Sequence, residues 1–334
     1  MKPIRIAQIG TSTNSHGNDI FNTLKTMPQF FEIVGYAFPE NEREKFPERM
    51  ADFEGYRELS VEEILNDPTI EAVTVETEET YLAKYALMAA KQGKHIHMEK
   101  PGGVVLTDFE RLIQCVKENG KVFHTGYMYR YNPFVKELKE QIKNGEFGEI
   151  LSVEAQMNCY YPAEKRQWLS RYPGGMMFFL GCHLVDLVLQ LKGTPKRILP
   201  MNKCSGYEGI TATDNGFALL EYDNGVSFVK TYASEIGGYV RRHLTVVGSK
   251  KTMELLPFEM FDGEGYALYS DRTEYTDTEW TDKGQKTRAH FDRYAAMIEA
   301  FAHMVAGEME NPYTAEYELE LYKAVMACCE VSDA

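Results

Sequence analysis

A lysine that follows a short apolar strand is a candidate for acid–base chemistry in this sequence. The segment GKHIHMEKPGG places Lys100 just past the predicted end of a strand, and Pro101 favours an extended conformation at the residue before it. Partial desolvation and cationic neighbours let such a lysine give up its proton near neutral pH. Lys100 is therefore predicted to act as a general acid or base.

Two later segments supply polar groups that a small-molecule substrate would need. GYMYRYNP contains Arg130, Tyr131 and Asn132. GGMMFFLGCHLVDL predicts a helix that carries His183 and, three residues later, Asp186, which can orient the imidazole. We interpret both segments as candidate parts of one site.

The turn after the first predicted strand reads GTSTNSHG from Gly10 onward. A turn that holds a pyrophosphate normally follows the pattern G-x-G-x-x-G, and here Ser12 and Ser15 stand at the second and third glycine positions. The short polar residues of this turn can still donate N–H and hydroxyl groups to a phosphate. An ordinary capped loop explains the same residues equally well.

The end of the second predicted strand normally carries the carboxylate that binds the ribose of a dinucleotide. Here Phe38 occupies that position, and Glu40 is the nearby substitute. A phenylalanine can stack on adenine, but it distinguishes neither a 2′-hydroxyl nor a 2′-phosphate. The choice between NAD and NADP is therefore left open, and loss of cofactor binding remains an alternative.

Apolar strand-like runs alternate with helix-like runs in the first part of the chain, which predicts an α/β Rossmann-type, doubly wound parallel sheet. The capping boxes Ser60 with Glu63 and Thr107 with Glu110 mark helix starts, and Gly120 marks a helix end. The predicted strands cover residues 4–9, 31–37, 72–75, 94–98 and 122–125, and the predicted helices cover 18–27, a stretch near 60, 80–92 and 108–119.

The second part of the chain predicts an α+β domain with a large, mostly antiparallel open sheet. Its predicted strands are 150–160, 196–205, 217–222, 226–233 and 243–247, and its clear helices are 176–192, 291–305 and 315–330. We therefore expect a dinucleotide-binding domain over residues 1–125 and a substrate-binding and oligomerisation domain over 126–334, with the last helix packing back on the first domain. An open sheet face needs a cover, so we expect a homodimer or homotetramer.

Composition excludes several classes of protein. The 334 residues include 36 Lys and Arg against 50 Asp and Glu, a net charge of −14 that disfavours nucleic acid and anionic membranes as partners. The longest uncharged apolar stretch, residues 176–185, is far short of the ~20 residues of a membrane span, and the N-terminal segment has too short an apolar run for a signal peptide. We expect a cytoplasmic protein that binds a small molecule.

Metal binding is not predicted from the sequence. The six cysteines show no C-x-x-C spacing. His95, His97 and Glu99 alternate along one predicted strand, but no partner at a fixed spacing completes a metal site.

Taken together, the order of these segments resembles the Gfo/Idh/MocA family of NAD(P)-dependent sugar oxidoreductases. The resemblance covers nearly the whole chain and rests on the triplet Glu99-Lys100-Pro101, the YNP segment, GEFGEILSVEA, the G-x-H-x-x-D run around His183, and LTVVGSKKTMEL. It implies that Lys100 is the acid–base group and that His183 is its partner in proton transfer. The implied cofactor-binding residues are Gly10, Thr11, Ser12, Thr13, Asn14, Phe38, Thr77, Glu78, Glu99 and Lys100. The implied substrate contacts are Arg130, Tyr131, Asn132, Trp168 and His183.

The chain also departs from the family pattern. Phe179 stands where the family usually has an aspartate four residues before the histidine. Glu78 and Glu79 replace a Pro-Asn pair, and Leu82 replaces a histidine. Carboxylates this close to a pyrophosphate would weaken its binding unless they point away, bind sugar hydroxyl groups or meet a cation.

The resemblance implies hydride transfer between the nicotinamide of NAD or NADP and a carbon of a sugar, polyol or glycoside. Two alternatives stay open. One is a glycosidase or lyase of the same family that uses a tightly held NAD, and the other is a sugar-sensing regulator that has lost catalysis and cofactor binding.

Overall fold

Residues 2–263 and 268–330, which the computed structural model describes, fall into two units. The first unit comprises the chain up to Met128 together with Tyr294–Tyr322. The second comprises Tyr129–Arg293 together with the chain from Lys323. Residues 294–322, which the boundary prediction assigned to the second domain, therefore belong to the first unit.

A parallel sheet forms the centre of the first unit. Its described strands are Ile4–Ile9 (β1), Phe31–Ala37 (β2), Ala72–Val75 (β3), His95–Met98 (β4) and Phe123–Thr125 (β5). They are hydrogen-bonded in the order β2-β1-β3-β4-β5, with every pairing parallel. Most of their side chains are buried, as expected for a sheet that helices cover on both faces. The predicted doubly wound sheet is confirmed.

The helix starts and ends follow capping chemistry in part. The described helices are Gly17–Lys25 (α1), Glu42–Lys45 (α2), Val61–Asn66 (α3), Leu82–Lys91 (α4), Leu106–Asn119 (α5), Pro133–Lys143 (α6), Ala163–Trp168 (α7), Cys182–Lys192 (α8), Ala295–Val305 (α9) and Ala315–Cys328 (α10). The Ser60–Glu63 capping box is present, and Gly120 ends α5 with φ +62°. The second predicted box is wrong, because α5 begins at Leu106 and takes no side-chain cap.

A larger sheet forms the second unit. Its described strands are Ile150–Gln156 (β6), Arg197–Pro200 (β7), Asn215–Tyr222 (β8), Gly225–Tyr232 (β9), His243–Gly248 (β10), Thr252–Leu255 (β11), Met260–Phe261 (β12), Leu268–Tyr275 (β13) and Gln285–Phe291 (β14). The order is β12-β13-β11-β10-β6-β9-β8-β7, and β14 pairs with β13. Among the described strands of this second sheet, only the β6–β9 pairing is parallel. The predicted, mostly antiparallel sheet is confirmed.

Several elements of the second unit differ from the predicted ones. Helix α6 and strands β12 to β14 were not predicted, and Phe291, the predicted start of a helix, ends β14 instead. The predicted helix 176–192 begins with a wider π-helical turn, Met177–Gly181, before α8. Such turns are frequent at functional sites.

No helix in the described part of the chain combines the length and the hydropathy needed to cross a membrane.

Candidate active site

The turn after β1 is built around a glycine that no other residue can replace. Gly10 has φ +88°, and a Cβ there would lie 2.4 Å from Thr77 Cγ2 and 2.8 Å from the Thr77 backbone nitrogen. The absence of a side chain therefore lets the turn approach the end of β3 closely. The sequence prediction that Gly10 occupies the first turn position agrees with this geometry.

Serine side chains hold the rest of this turn. The Ser12 backbone N–H donates to Ser15 Oγ at 2.9 Å, and the Ser15 backbone N–H donates to Ser12 Oγ at 3.0 Å. The Asn14 N–H also donates to Ser12 Oγ, at 3.3 Å, while Thr13 Oγ1 donates to Glu48 Oε1 at 2.6 Å. The two serines that replace glycines thus fix the loop by mutual hydrogen bonds, and a phosphate would take over N–H groups that these hydroxyls now satisfy.

The residues at the end of β2 are engaged elsewhere. The Phe38 ring packs on Tyr36 at 4.7 Å and on Phe53 at 4.9 Å between ring centroids. Glu40 accepts hydrogen bonds from Lys84 Nζ at 2.5 Å and from the Tyr85 hydroxyl at 2.7 Å. The predicted substitute carboxylate at Glu40 therefore has a cation of its own.

A carboxyl group that the sequence analysis missed lies beside the turn. Glu42 Oε2 accepts a hydrogen bond from the Thr11 backbone N–H at 3.1 Å, and the Glu42 side chain is buried. Its other oxygen, Oε1, has no hydrogen-bond partner among the residues that the structure describes. Burial raises the pKa of Glu42 to about 9 despite the Thr11 hydrogen bond. The signal in the sequence was only a second carboxylate after β2, two residues beyond Glu40.

The carboxylates after β3 are buried, and one of them meets a cation. Glu78 Oε2 lies 3.7 Å from Lys45 Nζ, and Thr77 Oγ1 donates to the Glu78 carbonyl oxygen at 3.1 Å. Glu79 begins a short 3₁₀ turn that leads into α4. The expected repulsion of a pyrophosphate by Glu78 is therefore reduced by Lys45.

Lys100 is buried beside a carboxylate at the end of β4. Its Nζ lies 3.7 Å from Glu99 Oε1. Glu99 Oε2 lies 2.8 Å from His16 Nδ1 and accepts from the His16 backbone N–H at 3.3 Å. Burial by itself would raise the pKa of Glu99, but the charges and hydrogen bonds of His16 and the charge of Lys100 lower it to about 2. Glu99 is thus an ionised bridge between a lysine and a histidine.

Three more buried polar side chains lie next to this bridge, none of them predicted as site residues. His97 Nε2 lies 3.7 Å from Glu76 Oε1, and His97 Nδ1 lies 2.8 Å from His124 Nδ1. Burial, together with the charge of Glu99, raises the pKa of Glu76 well above its ordinary value. Burial lowers the pKa of His97 to about 4. Both shifts favour the neutral forms of Glu76 and His97.

The strand histidines do not form a metal site in the described chain. His95 Nδ1 accepts a hydrogen bond from the Val122 backbone N–H at 3.1 Å, so the His95 ring is bonded to the residue that precedes β5. Over residues 2–263 and 268–330, no group of three or more His, Cys, Asp or Glu side chains could hold a metal ion.

Two predicted substrate contacts of the second unit have structural partners. Arg130 is buried, and its Nε and Nη2 donate to Asp186 Oδ1 at 3.1 and 2.8 Å. Asp186 Oδ2 also accepts from Gln190 at 2.6 Å. Asp186 therefore orients Arg130, and its predicted role in orienting His183 stays a prediction. Both members of this ion pair are withdrawn from solvent.

Asn132 caps a helix. Its Oδ1 accepts from the backbone N–H groups of Phe134 and Val135, and its Nδ2 donates to Ser270 Oγ at 2.8 Å. Pro133 occupies the first turn of α6, where its missing N–H costs nothing. Asn132 thus serves as the N-cap of α6, and the substrate contact predicted for it stays a prediction.

His183 lies among aromatic and charged side chains of the second unit. Its buried ring meets the edge of the Tyr129 ring at 4.9 Å and 77°. The Tyr129 hydroxyl donates to Glu259, which also pairs with Arg242 and with Arg293 at 2.8 Å. Burial raises the pKa of Tyr129 above its ordinary value. His183 is therefore held in a rigid environment.

Trp168 and Phe179 pack together in an aromatic cluster. Their ring centroids lie 5.2 Å apart, and Trp168 also contacts Tyr172 at 4.9 Å. Phe179 is 5% exposed and belongs to an apolar core with Leu169 and Met176. Tyr131 is half-buried. The position at which the family usually has an aspartate is therefore part of the apolar packing here.

Comparison with known proteins identifies both parts of the chain. Residues 4–127 match the family description "Oxidoreductase family, NAD-binding Rossmann fold", and residues 135–254 match "GFO/IDH/MocA C-terminal domain". A 1-carboxy-3-chloro-3,4-dihydroxycyclohexa-1,5-diene dehydrogenase of Comamonas testosteroni is 27% identical over 179 residues, 52% of this chain and 44% of that protein. A scyllo-inositol 2-dehydrogenase (NADP(+)) of Bacillus subtilis is 30% identical over 164 residues, 48% of this chain and 46% of that protein. The chain thus spans about half the length of these curated relatives.

Solved structures share the fold at lower identity. A levoglucosan dehydrogenase in complex with NADH and levoglucosan superimposes with a TM-score of 0.78 at 18% identity, covering 99% of this chain and 97% of that one. An aldose–aldose oxidoreductase from Caulobacter crescentus, in complex with glycerol, gives a TM-score of 0.80 at 16% identity, with 99% and 97% covered. At these identities the likeness shows the fold.

The residues of the first unit fit a dinucleotide on two observations. Gly10 leaves room where a Cβ would collide with Thr77, as a turn that approaches a pyrophosphate requires. Glu42 Oε1 is a buried polar atom with no hydrogen-bond partner in the described chain, and a ribose hydroxyl can supply that partner. Glu42 with Thr11 would hold the ribose side, and Gly10 with the serine-held turn would hold the phosphates.

Proposed function

Because the chain belongs to the Gfo/Idh/MocA oxidoreductase family, we propose that it is an NAD(P)-dependent dehydrogenase or reductase of a sugar, polyol or glycoside. The observation that carries this proposal is the buried Lys100, 3.7 Å from the ionised Glu99 at the carboxyl end of β4. Ligands of open parallel sheets bind at that edge. The bound nicotinamide supplies the hydride chemistry, and the protein supplies position and proton transfer.

Lys100 has the central role in this proposal. In the oxidising direction Lys100 Nζ accepts the proton of the substrate hydroxyl while the carbon loses a hydride, and in the reducing direction it returns that proton. Glu99 keeps a negative charge beside the ammonium form. His183 assists on the substrate side, as the family resemblance implies. Thr77, Glu78 and the residues of the Gly10 turn are proposed to contact the cofactor.

Tyr131 and Trp168 remain proposed substrate contacts. Neither is fully buried, in contrast to Arg130 and Asn132. Substrate specificity in this proposal rests on Tyr131, Trp168 and His183. Arg130 pairs with Asp186 on α8, the helix that carries His183, and Asn132 caps α6.

A second copy of this chain is the proposed partner of the large sheet. Along β8 the side chains alternate between buried and half-buried positions, and Phe217 and Leu219 lie on the half-buried face. Phe228 continues that face on β9. Half-exposed aromatic and aliphatic groups on one sheet face favour pairing with an identical face in a homodimer or homotetramer.

A sugar-sensing regulator is the second candidate. Specific observations favour it, because the turn after β1 satisfies its own N–H groups through Ser12 and Ser15 and because Phe179 lies in an apolar core. Such a protein would bind the sugar without changing it.

An assay of sugars, polyols and glycosides with each of the four nicotinamide cofactors tests these alternatives. The proposal predicts a change in nicotinamide absorbance with at least one substrate. Glycoside cleavage without a net absorbance change would identify the NAD-using glycosidase instead. Sugar binding with neither change would contradict the oxidoreductase proposal and favour the regulator.

A further inference from the structure

We propose that His16 is a positioning residue that shares one proton with Lys100 across Glu99, so that either side chain can carry the positive charge that balances this carboxylate. The inference rests on the proposed function, in which Lys100 exchanges a proton with the substrate. It assigns to the turn after β1 a part in proton transfer besides its part in binding.

Glu99 faces the two bases with different oxygens. Its Oε1 lies 3.7 Å from Lys100 Nζ, and its Oε2 lies 2.8 Å from His16 Nδ1. A second hydrogen bond, from the His16 backbone N–H at 3.3 Å, fixes Oε2 to the same residue. A charge change on one base is therefore felt by the other through a single carboxylate only a few ångströms away from both.

His16 is the member of this trio with access to solvent. Its side chain is 22% exposed, against 3% for Glu99 and 1% for Lys100. The Tyr294 ring covers part of His16, with 5.5 Å between the ring centroids. A proton from solvent can therefore reach His16 without crossing the apolar interior of the unit.

Burial favours the neutral forms of the two ionisable side chains next to the trio. Burial and the charge of Glu99 raise the pKa of Glu76 well above its ordinary value, and burial lowers the pKa of His97 to about 4. On the solvent side, Arg49 donates to the Ser15 carbonyl oxygen and Asp19 accepts from the Tyr294 hydroxyl, both at 3.3 Å. In the described chain, Lys100, Glu76 and His97 act on His16 or Glu99, and the Tyr294 ring packs on His16. Asp19 acts on Glu76, and Arg49 contacts the residue before His16.

The protons of one turnover balance with solvent as their source. In the reducing direction an N–H bond of Lys100 breaks and an O–H bond forms on the substrate as its carbon accepts the hydride. Lys100 becomes neutral, and His16 Nε2 takes a proton from solvent, so Glu99 keeps one cationic neighbour. When the product has left, Lys100 regains a proton from solvent and His16 releases its own, which restores the starting charges. In the oxidising direction Lys100 takes the hydroxyl proton and His16 releases one to solvent.

Histidine NMR on the ligand-free protein tests the coupling without any assay of activity. The His16 signal among the eight histidines is identified by its loss in His16→Gln. In Lys100→Met, Glu99 is balanced by His16 alone, so we expect the midpoint of the His16 titration to rise by about one pH unit. An unchanged midpoint would overturn the proposal. Glu99→Gln, the second variant, should lower the same midpoint.

His303 is a matched internal control. Its Nδ1 lies 2.8 Å from Glu308 Oε2, the same distance as in the His16–Glu99 pair, and its Nε2 lies 3.9 Å from Glu299 Oε1. Among the residues that the structure describes, no lysine is paired with Glu308. The His303 titration should be the same in the wild-type protein, Lys100→Met and Glu99→Gln.

Kinetics of His16→Gln separate this inference from the proposed function. Glutamine can still donate to Glu99 but cannot take up a proton, so we expect the midpoint of the kcat–pH profile to move by about one unit with KM unchanged. His303→Gln should leave the profile unchanged. An active enzyme whose kcat–pH profile does not move would contradict only the proposed role of His16. A protein without oxidoreductase activity would contradict that role and the proposed function.

Discussion

Buried charged groups occur in both units, but their partners differ in kind. In the second unit, Asp186 is paired with Arg130, and Glu259 is paired with Arg242 and Arg293. In the first unit, Glu99 is paired with His16 and Lys100. Arginine does not lose its proton in proteins, whereas histidine and lysine do.

This difference distinguishes ion pairs with a structural role from ion pairs that can take part in proton transfer. An arginine–carboxylate pair has a constant charge, so it can hold elements together but cannot move a proton. A carboxylate between a lysine and a histidine has partners that can exchange protons. The G-x-H-x-x-D run contains a pair of the structural kind, because its aspartate, Asp186, is paired with Arg130.

The largest expected effect follows from removing the proton carrier. Lys100→Met should lower kcat by about 10²–10⁴-fold, the usual contribution of a general acid or base, while cofactor affinity is retained. Steady-state kinetics and a cofactor titration measure the two quantities. Turnover equal to that of the wild type would remove Lys100 from the mechanism.

Breaking the constant-charge pair should affect stability instead. Asp186→Asn leaves Arg130 buried without its counter-charge, and we expect a loss of about 3–5 kcal/mol in the free energy of unfolding. Urea denaturation measures it. Asp223→Asn, which removes the exposed partner of Lys196, is the matched control and should change stability little. Equal losses in the two variants would contradict the assignment of Arg130 as structural.

Glu42 should make the stability of the first unit depend on pH. Its pKa is about 9 in the folded state against an ordinary 4.5, so the folded protein keeps a proton that the unfolded chain has lost between these values. Stability should therefore fall as the pH rises from about 4.5 toward 9. Glu42→Gln should reduce this slope in thermal unfolding, and Glu44→Gln, in the same helix but exposed, should leave it unchanged. The same slope in both variants would contradict the burial of Glu42.

The smallest effect concerns the helix cap at Asn132. Asn132→Ala should cost about 1 kcal/mol of unfolding free energy, and Asn132→Ser, which restores a capping oxygen, should recover part of it. Urea denaturation measures both variants. A rise in substrate KM with unchanged stability would instead restore the predicted substrate contact.

Both sheets could be predicted from the sequence because burial imposes a local period. Strands that are covered on both faces appear as short apolar runs, as in Ala72–Val75, and half-buried strands alternate, as in Asn215–Tyr222. Helix α6 was missed although Asn132-Pro133 is a helix-start signal, because the same residues also suggested a binding segment. Thr107 and Glu110 match a capping box by spacing alone, and the helix starts at Leu106, two residues before its predicted start.

Residues of the candidate site could be predicted only where the neighbouring sequence identifies them. Lys100 and Gly10 follow strands and were identified. Glu42 and His16 act through partners 31 and 83 positions away in the chain, so no local pattern reveals them. Arg130 and Asp186 pair with each other across 56 positions of the chain, so no local pattern reveals the pair. The sequence analysis therefore assigned both residues to other roles.

The central claim is that the first unit binds a nicotinamide cofactor next to Lys100. The most direct test is a titration of the full chain with NADH and NADPH, followed by energy transfer from Trp168 and Trp280 to the reduced nicotinamide and checked by calorimetry. The account predicts micromolar binding of one of the two. Failure of both to bind at millimolar concentration, with no dinucleotide co-purifying, would contradict it.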